Sequence, residues 1–104
     1  MKYLCLVYAQ EEALHGLPDS PADDECQAYA DALAEGGKML GGEPLEPVRS
    51  AVTVRVRDGK TSVTDGPFAE TKEQLTGFYM IDARDLNEAI RIAEKIPPAR
   101  VGSL

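Results

Sequence analysis

The chain is short of the side chains on which several chemistries depend. It has one histidine and two cysteines, at unrelated spacings, so structural zinc lacks a ligand set. Cys5 and Cys26 are far apart and form no Cys-x-x-Cys motif. They read as two buried, reduced thiols rather than a disulfide. Cations are scarce: 11 Lys and Arg face 18 Asp and Glu, for a formal net charge of −7 and a pI near 4.6. Such a surface repels phosphate backbones, which excludes nucleic acid as an expected partner and otherwise serves solubility. Long apolar runs are absent. The first, Tyr3 to Ala9, is too short for a secretory signal and meets Gln10-Glu11-Glu12 in place of a cleavage site. Nothing approaches the length of a membrane span, and the expected location is cytoplasmic. There is no Gly-rich phosphate loop, no Ser-His-Asp pattern and no metal cluster, so no cofactor is expected. Gly41-Gly42 is too short to be a nucleotide signature.

What is present suits a single domain over residues 1–104: the length is 104 residues and the hydrophobic fraction 43%. Lys2 to Tyr8 reads as a strand that is apolar on both faces. Tyr3, Cys5 and Val7 point one way, and Leu4, Leu6 and Tyr8 the other. Ser20-Pro21-Ala22-Asp23 predicts a helix start, with Ser20 as cap and Pro21 in the first turn. Ala22, Cys26, Tyr29, Ala30 and Leu33 form its stripe, and Gly36-Gly37 ends it. Lys38 to Gly41 is a short second strand. Ala51 to Arg57 alternates, with Val52, Val54 and Val56 expected to face the core. Asp58-Gly59 signals a hairpin whose return strand is Lys60 to Thr64. Thr76 to Asp82 is again apolar on both faces. Asp85 caps a second helix, Glu88 is placed for a capping box, and Leu86, Ala89, Ile90, Ala93 and Ile96 form the expected buried stripe. Pro97-Pro98 stops that helix, and Val101 to Leu104 begins another extended piece.

This order predicts an α+β fold: a ferredoxin-like sandwich with an added β-hairpin. Two helices cover one face of such a sheet only. The two central strands are apolar on both faces, so the second face needs a cover. A second copy of the chain is the simplest, giving a two-fold homodimer. A further C-terminal strand or a bound ligand are the rivals.

The stretch Asp65-Gly66-Pro67-Phe68-Ala69-Glu70-Thr71-Lys72-Glu73 carries the densest signal. Gly66 and Pro67 break regular structure. Phe68 is expected to pin the loop to the body of the domain. Asp65 then has two readings: a turn-former that bonds its own backbone, or an acid or base at the mouth of a cleft. Glu70 shares both readings. Lys72 pairs with a neighbouring carboxylate or binds an anionic group of a ligand. His15 is either a solvated loop residue or a proton-transfer partner that folds toward Asp65. Tyr8 and Tyr79 are core or dimer contacts whose hydroxyls could instead line a pocket.

With the opening Met1 to Tyr8, the run Gln74 to Tyr79 and Ile96-Pro97-Pro98, that stretch resembles the DGPF group of the YCII-related family, along nearly the whole chain. The resemblance implies a dimeric α+β barrel. In similar proteins a histidine on the first helix pairs with an Asp as the proposed acid–base dyad. Here that region offers Cys26, Gln27 and Tyr29, so only Asp65 carries over. The candidates are therefore Asp65, Glu70 and His15 as catalytic residues, and Tyr8, Lys72 and Tyr79 as ligand-binding residues. Two functions compete. One is a small-molecule-binding barrel with acid–base activity. The other is a non-catalytic module partnered with an extracytoplasmic-function sigma factor, as the resemblance implies.

Overall fold

Alternation along Lys2–Ala9 (β1) sends Cys5, Val7 and Ala9 to one side of a sheet and Leu4, Leu6 and Tyr8 to the other. The computed structural model describes residues 1–12 and 21–104, and it buries the first set under two helices. β1 pairs antiparallel with β5 (Gln74–Asp82), which also pairs antiparallel with β2 (Met39–Pro44). The order is therefore β1-β5-β2, with β5 in the middle. On the outer side of β1, Tyr8 and Ser103 exchange two backbone hydrogen bonds of 2.7 Å. Gly102 fits there because it has no side chain; a Cβ would lie 2.9 Å from the Ala9 Cβ.

Asp23–Glu35 (α1) starts after Ala22, whose side chain makes no cap. The helix thus begins beyond Pro21, and the expected cap Ser20 lies outside the described residues. Asp23, Asp24 and Glu25 crowd the first turn, where the helix dipole favours negative charge. The end follows the sequence. Gly37 takes φ 72°. Lys38 N–H donates to the Leu33 carbonyl at 2.8 Å, and Gly37 N–H donates to that of Ala34 at 3.0 Å, which is a Schellman motif.

Leu86–Ala93 (α2) is capped by Asp85, which accepts from Glu88 N–H at 2.8 Å. The Glu88 carboxylate reaches back one residue further than expected, to Arg84 N–H at 3.0 Å. The stripe differs as well. Ala89, Ile92 and Ile96 are buried, whereas Leu86 and Ile90 are 60% and 52% exposed. The helix is turned by about one position, because Ile92 rather than Ile90 meets the sheet. Cys5, Leu33, Ile81, Ala83, Ala89, Ile92 and Ile96 form the core, all on one side of the sheet. On the other side Leu4, Leu6, Tyr8 and Met80 are exposed.

The hairpin differs most from expectation. Val52–Arg57 (β3) and Lys60–Asp65 (β4) form their own two-stranded sheet. Asp58 and Gly59 make the turn with φ 52° and 75°. Val52, Val54 and Val56 do not face the core: they are 56%, 61% and 58% exposed. Clean alternation correctly marks one apolar face, but none of the described residues covers it. β2 runs on through Gly42 to Pro44, and a 3₁₀ turn at Val48–Ser50 leads into the hairpin.

Candidate ligand cleft

Where α1 crosses β5 and β2, the sheet presents residues with little or no side chain. Gly77 lies between Val7 of β1 and Pro44 of β2, and Gly42 pairs with Tyr79. Ala30 faces them from α1. A cleft of about 420 Å³ opens there, on the helix-covered side of the sheet. Both glycines are needed for this packing. A Cβ on Gly42 would come within 2.8 Å of the Phe78 carbonyl oxygen, and one on Gly77 within 3.0 Å of that of Glu43.

Val7, Met39 and Pro98 supply apolar lining. Cys26 and Gln27 enter from α1, and Thr76 and Tyr79 from β5. Thr76 is the bulged residue between the Val7–Gly77 and Tyr8–Leu75 pairs, and its hydroxyl donates to the Val7 carbonyl at 3.2 Å. Glu11 closes one end. Its carboxylate accepts from Val48 N–H at 2.7 Å, and its own N–H donates to Gln74 Oε1 at 3.4 Å.

The charged groups at the cleft share one sign. Glu11, Asp23 and Glu46 line it, and among the described residues no Lys, Arg or His does. Burial raises the Cys26 thiol pKa above its ordinary value, and the Glu25 and Asp23 carboxylates add to the effect. Burial likewise raises that of the Tyr79 phenol, with smaller contributions from Cys26 and Tyr29. Both groups are therefore protonated at neutral pH and present hydrogen-bond donors, and Cys26 is not a thiolate nucleophile.

Of the six candidates read from the sequence, Tyr79 lines this cleft. Asp65, Glu70 and Lys72 are exposed and stand outside the lining. Tyr8 sits on the open sheet face, and His15 lies outside the described residues. Asp65 closes β4 opposite Val52. Gly66 follows with φ 98°; its N–H donates to the Ala51 carbonyl at 2.7 Å, and its carbonyl accepts from the Thr53 hydroxyl at 2.8 Å. The loop backbone is held, as its sequence suggested. Phe68 is not the pin: it is 81% exposed, and the ladder extension through Gly66 does that work.

The sequence marked Cys26 as part of the helix stripe and, with Gln27, as a replacement for a helix histidine. Glu11 and Thr76 had no local signal.

The model of the YCII-related domain family matches residues 1–104. A protein of Rhizobium meliloti (strain 1021), designated Uncharacterized protein R00369, is 49% identical over 104 residues, covering 95% of this chain and 82% of that protein. Among the described residues, no helix is long and apolar enough to cross a membrane.

Proposed function

The chain belongs to the YCII-related family, and from that premise we propose that it is a small-molecule-binding protein that works as a homodimer of ferredoxin-like α+β units. The ligand occupies the cleft beneath α1. The observation that carries this reading is the cleft itself. Its volume of about 420 Å³ falls in the range of small-molecule sites, roughly 300–1,000 Å³, and it combines apolar walls with a few convergent polar groups.

The lining also favours a ligand class. Three carboxylates, with no Lys, Arg or His among the described lining residues, repel an anionic ligand and attract an amine. Apolar walls suit a ring or a branched chain, and Cys26 and Tyr79 donate hydrogen bonds to an acceptor on it.

Two features support the ferredoxin-like dimer. The Tyr8–Ser103 bridge puts a strand position outside β1, which gives the four-position order expected of that fold. The face bearing Leu4, Leu6, Tyr8 and Met80 is the one a second sheet would cover to make the barrel.

The test is a thermal-shift and NMR screen of apolar amines against the full chain and Ala30→Trp, which fills the cleft. Binding to the parent chain, with shifts at Tyr79 and Cys26, and its loss in the folded variant are expected. Ligands that shift neither residue, or that bind the filled variant equally well, would overturn the reading. Mapping on the parent chain decides the matter if the variant misfolds.

A further inference from the structure

The β3–β4 hairpin leaves an apolar surface uncovered: Val52, Val54, Val56 and Val63 are all more than half exposed. Its register pairs Val52 with Asp65, Val54 with Val63 and Val56 with Thr61. Directly opposed residues share a face, so Val52, Val54, Val56 and Val63 form one apolar ribbon, with Asp65 at its base. The opposite face carries Thr53, Arg55, Arg57, Lys60, Ser62 and Thr64. A two-stranded hairpin alone is marginal in water, and among the described residues no helix or third strand lies against its valines.

We propose that the hairpin is a clasp for a second copy of this chain, its valine face lying on the partner's open sheet face. This rests on the homodimer reading and adds to it the contact that makes the dimer.

Three observations choose the occupant. The first is area. The chain exposes 7279 Å², against about 5,700 Å² expected for a compact monomer of its mass. Its radius of gyration is 15.6 Å, against about 13 Å. The excess of roughly 1,600 Å² exceeds the ~800 Å² each partner contributes to a standard interface. The second is charge. The hairpin holds Arg55, Arg57 and Lys60 against Asp58 and Asp65, in a chain whose net charge is −7. Its cations stand on the face away from the valines, so the hairpin's net positive charge steers the approach of another acidic copy and does not make the contact itself. The third is closure. Each copy has both a valine ribbon and an open face of Leu4, Leu6, Tyr8 and Met80. A two-fold axis satisfies both at once and leaves neither to propagate a fibre.

Because Asp65 shares the valine face, the clasp carries it onto the partner's sheet, the face on which Tyr8 stands. Any chemistry of Asp65 then belongs to the dimer and not to the single chain.

The experiment combines sedimentation equilibrium with isotope-filtered NOEs in a mixture of labelled and unlabelled full chain. The expected result is a dimer with NOEs from valine methyls of one copy to Leu6, Tyr8 and Met80 of the other. Val54→Ser with Val63→Ser should weaken it at least tenfold while circular dichroism stays unchanged. A dimer without those NOEs, its dissociation constant moved less than twofold by the double variant, overturns the clasp and leaves the homodimer standing. A parent chain that is monomeric at 100 μM (on the order of a weak interface's Kd) overturns both. The NOEs decide alone if the double variant misfolds.

Discussion

The Tyr29 hydroxyl donates to the Ile92 carbonyl oxygen across 2.8 Å. That bond ties the middle of α1 to the end of α2, two helices that otherwise meet mainly through the sheet below them. Tyr29 is half-buried, and burial raises its pKa above the ordinary tyrosine value, with smaller contributions from Cys5 and Glu94. Its role is that of a neutral donor. Tyr29→Phe should destabilise the fold by about 1 kcal/mol, the usual net worth of such a bond. Urea denaturation should show a lower midpoint at an unchanged m-value; an unchanged midpoint would mean that water replaces the hydroxyl without loss.

Ile81 and Ile96 are the two largest fully buried side chains. Truncating either to Ala removes methyl groups and leaves a cavity, at a cost of about 2–5 kcal/mol. Leu86→Lys and Ile90→Lys, on the exposed side of α2, should instead stay within about 0.5 kcal/mol of the parent. Thermal denaturation of the four variants separates the observed helix phase from the one the sequence stripe suggests. A large loss at Ile90 would place the phase on the wrong side.

Glu88 gathers the Arg84 N–H, the Lys38 ammonium at 3.1 Å and the Arg84 guanidinium at 2.9 Å. The Arg84 backbone bond is the largest cause that holds its carboxyl below the ordinary value; the Lys38 bond comes next. A pKa depressed on folding contributes stability that is present above the unfolded value and is lost as pH falls through the folded one. Glu88→Gln should therefore lower stability at pH 7 and flatten the acid limb of the stability curve. Parallel limbs for parent and variant, measured by urea titration from pH 3 to 7, would remove Glu88 from that account.

Gly102→Ala should break the Tyr8–Ser103 bridge, since the new Cβ meets Ala9. Hydrogen exchange at Tyr8 N–H should accelerate at least tenfold, while the β1–β5 ladder keeps its protection. Unchanged exchange at Tyr8 would show that the C-terminal segment shifts as a unit to make room.

Elements with local signals were legible from the chain alone. The alternation of β1, the Asp85 cap and the Gly36-Gly37 stop each need only neighbouring residues, and each is where the sequence put it. Val52, Val54 and Val56 show the limit of that logic. Alternation reports that one face is apolar, but not whether the chain itself covers it. Phe68 repeats the point, since an apolar residue in a loop marks a contact without naming the partner. The cleft was illegible for another reason. It lies where Gly42 and Gly77 let strands paired through β5 approach closely beneath α1, and an absence of side chain in two distant segments has no periodicity to read. Asp65 drew attention through its motif, yet its position is set by ladder pairing with Val52, at the base of the hairpin and away from the cleft.

The most direct measurement of the central claim is a matched titration of the ¹⁵N-labelled full chain with 2-phenylethylamine and with 3-phenylpropionate. They carry the same ring on tethers of opposite charge. The account predicts saturable shifts at Cys26, Gln27, Thr76 and Tyr79 with the amine and at least tenfold weaker binding of the acid. Equal binding of the two, or saturable shifts confined to residues outside the cleft, would contradict it.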